Sequence, residues 1–62
     1  MRENIYHFIE RNSGEEFLVG CSTLAEAKAI ANSIFEAEAE ADIKCYGRIS
    51  EYEAEISGLD QY

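Results

Sequence analysis

The longest periodic pattern of hydrophobic positions in the chain runs from Thr23 to about Glu40. Its apolar residues recur at intervals of three and four, at Leu24, Ala27, Ala31 and Ile34. This spacing is that of one face of an α-helix. Thr23 and Glu26, three residues apart, form a capping box that satisfies backbone amides at a helix start. The pattern therefore predicts one long helix with a defined N-terminus and an apolar face.

Two segments before this helix have the alternating pattern of β-strands. The first, Ile5 to Glu10, is rich in aromatic and β-branched residues. The second, Glu16 to Cys21, alternates, with one face carrying Phe17, Val19 and Cys21. Residues 11–14 between them, Arg-Asn-Ser-Gly, favour a turn. The two segments predict a β-hairpin that leads directly into the helix.

A third alternating segment follows the helix, from Ile43 to Ile49. One set of alternate positions holds Ile43, Cys45, Gly47 and Ile49, and the other holds Lys44, Tyr46 and Arg48. This predicts a third strand with one face toward the core, and the strand can return antiparallel beside the hairpin.

The tail from Ser50 fits two patterns. As a helix it has a capping box at Ser50 and Glu53, a glycine stop at Gly58, and apolar residues at helical spacing, which are Ile49, Tyr52, Ile56 and Leu59. As a strand it has Tyr52, Ala54 and Ile56 on one face and Glu51, Glu53 and Glu55 on the other. We favour the helix, because two end signals agree with its period, and the strand stays open.

Together these elements predict one α+β domain over residues 1–62. A small antiparallel sheet, made of the hairpin and the third strand, packs on one long helix and is followed by a short C-terminal helix or fourth strand, a ββαβ order plus a tail. A chain of 62 residues supplies a single small core and no large internal ligand cavity.

Charge narrows the classes of partner. The chain has 13 acidic and 5 basic residues, for a formal net charge of -8. This balance argues against direct binding to nucleic acid or an anionic membrane and predicts a basic protein surface as partner. Residues 36–62 contain eight acidic and two basic residues, so most of the net negative charge lies in this C-terminal part of the chain. The excess either solvates the surface or forms a negative face for a basic groove.

The candidate partner-binding residues are the carboxylates and tyrosines of this acidic half, namely Glu36, Glu38, Glu40, Asp42, Tyr46, Glu51, Tyr52, Glu53 and Glu55. If the tail is a strand, its alternate carboxylates lie about 6.5 to 7 Å apart, near the spacing of phosphates along a nucleic-acid strand. Tyrosine is favoured at interfaces because it combines contact area with a polar tip. The alternative is that Tyr52 is a core residue and Tyr46 an outward strand residue.

Other chemistry has little support in the sequence. The carboxylates near Glu38 point around a helix, and no calcium-loop motif exists, so we expect no metal, no cofactor and no enzyme activity. His7 is expected at the surface or rim. Cys21 and Cys45 are expected to be reduced core thiols, with a disulfide staple between neighbouring strands as the alternative.

No apolar run reaches about 18 residues and no secretory h-region is present, so we expect a cytoplasmic protein.

In size, charge and α+β layout, the chain resembles the small acidic single-domain proteins of phages and mobile elements, among them anti-CRISPR inhibitors and other DNA mimics. The resemblance covers the whole chain and rests on no motif, so it assigns no residue a role. It implies a target with a basic nucleic-acid channel, such as an RNA-guided nuclease in the host cytoplasm. A different hypothesis is a structural or assembly module that self-associates through a sheet edge, as a homo-oligomer.

Overall fold

The structure, a computed structural model, describes residues 4–36 and 40–62. Its elements follow in the predicted order, as β1 (Asn4–Glu10), β2 (Glu15–Cys21), α1 (Leu24–Ile34), β3 (Ile43–Ile49) and α2 (Glu51–Ser57). The strands form one sheet of order β2-β1-β3, and both pairings with the central β1 are antiparallel. The α+β fold predicted from the sequence is confirmed.

Helix α1 begins as predicted and ends earlier. The side-chain oxygen of Thr23 accepts a hydrogen bond from the backbone N–H of Glu26 at 3.2 Å, as expected for the cap. The helix ends at Ile34 rather than near Glu40, so its predicted length was wrong. The last turn carries no basic residue and Glu36 follows it, where the helix dipole disfavours a carboxylate. Residues 37–39, which include Glu38, lie outside the described residues.

Both faces of the sheet are covered, each by a different part of the chain. Helix α1 covers the larger apolar cluster through two alanines, Ala27 and Ala31. The other buried members of this cluster are Tyr6, Phe8, Phe17, Val19 and Cys21. On the opposite face, Ala54 of α2 packs with Ile5 and Leu18, and partly buried Ile49 and Leu59 complete a second cluster.

A bulge in β3 moves its last residues to the other face. Opposite Phe8 lies Cys45, whereas opposite His7 lies Gly47, so Tyr46 is an extra residue in β3. Gly47 has a φ of 118°, which side-chain-bearing residues rarely adopt. Partly buried and exposed residues alternate along β3 as predicted. The predicted single inward face is wrong after Cys45, because Ile49 faces the α2 cluster instead of the α1 cluster.

The two cysteines lie on strands that are not neighbours. Cys21 is in β2 and Cys45 in β3, with β1 between them. The thiol of Cys21 donates to the carbonyl oxygen of Thr23 at 3.1 Å. Both cysteines lie in the apolar cluster beneath α1, as predicted for core thiols, and the disulfide staple between neighbouring strands was wrong because β1 separates their strands.

The C-terminal residues lie along the outer edge of β2. Leu18 donates its N–H to the carbonyl of Asp60 at 2.8 Å and accepts from the N–H of Tyr62 at 2.7 Å. Gly20 donates to the carbonyl of Tyr62 at 3.0 Å, and the Tyr62 ring meets the edge of Phe17. This short parallel contact covers part of an edge that would otherwise be open to other strands.

Glu10, at the end of β1, is a buried carboxylate with 2% of its surface exposed. One oxygen accepts the backbone N–H of Ser13 in the hairpin turn at 2.8 Å, and the other accepts that of Asp42, just before β3, at 2.7 Å. The Asp42 N–H, with further help from residues 12 and 13, lowers the pKa of Glu10 against the opposing effect of burial. One side chain thus joins the hairpin turn to the start of β3.

We expect Glu10→Gln to destabilise the fold measurably at pH 7. Because the folded pKa lies below the unfolded one, the ionised form stabilises the fold above the unfolded pKa, and this contribution is lost as pH falls through the folded pKa. Urea unfolding from pH 7 to pH 3 should show a smaller acid dependence in the variant than in the parent. Glu55→Gln, which removes an exposed carboxylate, is the control, and equal effects of the two variants would contradict this role for Glu10.

Gly47→Ala should destabilise the fold by about 1–3 kcal/mol through backbone strain. An added Cβ would meet no atom within 4 Å, so a steric clash would not explain the loss. The matched control is the synthetic chain with d-alanine at position 47, which favours positive φ and should recover most of the stability in urea unfolding. Equal losses with both alanines would show that φ at this position is not the cause.

Candidate functional site

The tail forms a helix, as the sequence favoured, and the strand alternative was wrong. The side-chain oxygen of Ser50 accepts the N–H of Glu53 at 3.0 Å, and Gly58 ends α2 in the left-handed conformation with a φ of 70°. Both end signals read from the sequence are therefore present. They fix where the seven-residue helix begins and ends.

The large apolar residues of α2 face outward. Ala54 is the buried residue of the helix, whereas Tyr52 and Ile56 are 70% and 66% exposed. Each lies two residues from Ala54, which places it about 160° around the helix from the buried side. The alternative in which Tyr52 is a core residue was wrong. The small Ala54 contacts the sheet, and Ile49 and Leu59 reach the same cluster from outside the helix.

Carboxylates lie on both sides of this apolar pair. At about 100° per residue, Glu51 and Glu55 fall on one side of the Tyr52–Ile56 row and Glu53 falls on the other. All three are exposed. We call these five residues the α2 surface, which consists of Glu51, Tyr52, Glu53, Glu55 and Ile56. Four of them were candidates from the sequence. Ile56 was missed as a site residue, although its four-residue separation from Tyr52 is the signal that pairs them.

Tyr46 lies in a different setting. It is 56% exposed on β3, and its ring centre is 5.0 Å from that of His7. His7 Nε2 lies 2.8 Å from Glu16 Oε1, so these three side chains form a small polar group on the sheet. Tyr46 is thus an outward strand residue, and His7 is at the rim, as the sequence suggested.

The remaining acidic candidates lie at the opposite end of β3 from α2. Asp42 immediately precedes β3 and Glu40 lies just before it, whereas α2 begins after the strand ends. A strand of seven residues spans roughly 20 Å. Asp42 Oδ2 lies 3.6 Å from Arg11 Nε, and the Glu40 carbonyl accepts from the Asn12 side chain. Glu36 is exposed just after α1, and Glu38 is outside the described residues. Among the described acidic candidates, Glu40 and Asp42 therefore form one group and Glu51, Glu53 and Glu55 another, separated by the length of β3.

Within residues 4–36 and 40–62, no group of three or more histidine, cysteine or acidic side chains is arranged to hold a metal ion. Neither helix in this described part has the length and apolar character needed to cross a bilayer. Comparisons with protein-family models, with curated proteins and with solved structures find no match for this chain.

Because the large apolar side chains of α2 are exposed and its alanine is buried, changing the large ones should affect the free energy of unfolding less than changing the alanine. Tyr52→Ser and Ile56→Ser should each change the free energy of unfolding by no more than about 0.5 kcal/mol, because both side chains are exposed. Ala54→Leu should cost about 1–3 kcal/mol by overpacking the contact with the sheet. Urea unfolding measures all three. A loss at Tyr52 or Ile56 as large as that at Ala54 would contradict this orientation.

Proposed function

We propose that this protein is a non-enzymatic inhibitor that binds a basic surface of another protein through the α2 surface. The observation that carries the proposal is the outward Tyr52–Ile56 pair between carboxylates on a helix whose buried contact is a single alanine. An apolar centre with a polar rim is the usual anatomy of a protein interface.

The partner we propose is a protein that handles nucleic acid, such as an RNA-guided nuclease, inhibited by nucleic-acid mimicry in the anti-CRISPR manner. Glu51 and Glu55 are separated by four residues, or about 6 Å along the helix axis. Two carboxylates at this separation can stand in for neighbouring phosphates of a bound strand. Tyr52 and Ile56 would then supply the apolar contact area that phosphates lack.

The charge of the chain supports the same kind of partner. With a formal net charge of -8, the protein would approach a positive channel under electrostatic steering, so association should be fast and should slow as salt rises. The second acidic group, around Asp42, would add to this long-range attraction. Because Arg11 already lies beside Asp42, we propose that this group attracts the partner at long range and does not contact it directly.

The test begins with capture of partners from a nuclease-treated bacterial lysate on the tagged protein, followed by purification of the captured protein. We expect a basic protein that is released by high salt and whose nucleic-acid binding this chain competes away. The double variant Tyr52→Ser with Ile56→Ser, and the triple variant Glu51→Lys, Glu53→Lys and Glu55→Lys, should each weaken competition at least about tenfold.

The control variant is Leu24→Ser, which removes an exposed apolar side chain on α1 and should compete normally. Circular dichroism should first establish that every variant is folded. Competition that survives both α2 variants would overturn the assignment of the α2 surface. A captured protein whose nucleic-acid binding is unaffected by the parent chain would overturn the inhibitor function itself.

A further inference from the structure

Strand β3 is an outer strand of the sheet, and within the described residues its second edge pairs with no other strand. Over residues 4–36 and 40–62, β1 is the one strand that pairs with it. The opposite outer strand, β2, is covered along Leu18 and Gly20 by the C-terminal residues. An open strand edge offers backbone N–H and C=O groups that can pair with an added strand.

A cleft of about 220 Å³ lies beside this edge, between α1 and β3. Its floor is apolar and is formed by Phe8, Ile43 and Cys45. Its rim is polar and comes from Lys28 and Asn32, which are four residues apart on α1 and therefore neighbours on one side of that helix. The cleft thus combines an apolar floor with an ammonium and an amide as hydrogen-bond donors.

The charged side chains on β3 itself and on the cleft are all basic, whereas Asp42 and Glu51 flank the strand at its two ends. Three of the five basic residues are Lys28 on the cleft and Lys44 and Arg48 on β3 itself. Lys44 lies opposite Ile9 and so projects from the other face of the sheet, away from the cleft. This concentration of positive charge favours an acidic partner along β3.

We propose that β3 and the adjoining cleft bind an extended acidic peptide by strand addition. The peptide pairs with the regular part of β3, Ile43 to Cys45, and the bulge at Tyr46 and Gly47 ends the ladder. An acidic side chain enters the cleft, with its methylene groups on the apolar floor and its carboxylate beside Lys28 and Asn32. This site is distinct from the α2 surface and takes a partner of opposite charge.

A second copy of the chain fits this edge less well than an acidic peptide. Antiparallel pairing of two β3 strands about Tyr46 would place Lys44 of one copy opposite Arg48 of the other. Like charges directly opposite one another destabilise a strand pair. The bulge also interrupts the long regular ladder that a stable dimer would use. An acidic peptide meets neither obstacle.

The test uses a fluorescein-labelled octapeptide of alternating valine and glutamate, and its counterpart with lysine for glutamate. Fluorescence anisotropy with the full chain should show saturable binding of the glutamate peptide and at least about tenfold weaker binding of the lysine peptide. Backbone amide shifts in NMR spectra should change along residues 43–46 and near Lys28 and Asn32, while residues 51–57 should stay unchanged. Absence of saturable binding would overturn the proposal.

Lys28→Gln should weaken binding of the glutamate peptide about tenfold, because it removes the ammonium group from the cleft. Lys44→Gln removes the same charge from the other face of the sheet, so it measures the general electrostatic attraction, and it should weaken binding at most about twofold. Equal losses of affinity in the two variants would mean that the protein attracts the peptide only by its general charge, and would overturn the cleft as the binding site. Sedimentation that shows a dimer paired through β3 before peptide is added would also overturn the proposal.

Discussion

The bond between the Glu10 carboxylate and the backbone amides of Ser13 and Asp42 connects the two halves of the fold. The hairpin forms from neighbouring segments, but β3 must return after a helix and a crossover to reach β1. The Glu10 carboxylate accepts a hydrogen bond from the N–H of Asp42, just before β3 begins. The reciprocal bond from the Arg11 N–H to the Asp42 carbonyl at 2.8 Å strengthens the same joint. The register of β3 and the position of everything after it depend on this contact.

The division of the apolar residues between two faces of the sheet explains the exposed α2 surface. Helix α1 and its aromatic partners form the larger cluster, and the second face holds a small cluster around Ile5 and Leu18. The bulge at Gly47 turns Ile49 toward that second face and directs the chain into α2. Ala54 is the buried residue of α2 and packs on that second cluster. Tyr52 and Ile56 are consequently left exposed.

Two surfaces of opposite character follow from this arrangement. The α2 surface joins an apolar row to carboxylates, and the β3 edge joins an apolar cleft to lysine and arginine side chains. They lie on different elements, the first on α2 and the second between α1 and β3. Under the two proposals, the chain binds a basic partner through the first surface and an acidic peptide through the second.

The sequence by itself determined the order and type of the elements, because local periodicity, caps and turn residues act over a few positions. It identified the hairpin, the cap at Thr23, the cap at Ser50 and the stop at Gly58. Only the tertiary structure decided which side of α2 is buried, because apolar spacing marks a stripe without saying whether the stripe meets the core. It also decided the bulge at Gly47, the burial of Glu10 and the separation of the acidic residues into two groups. These features depend on contacts between segments distant in the chain, which no local pattern records.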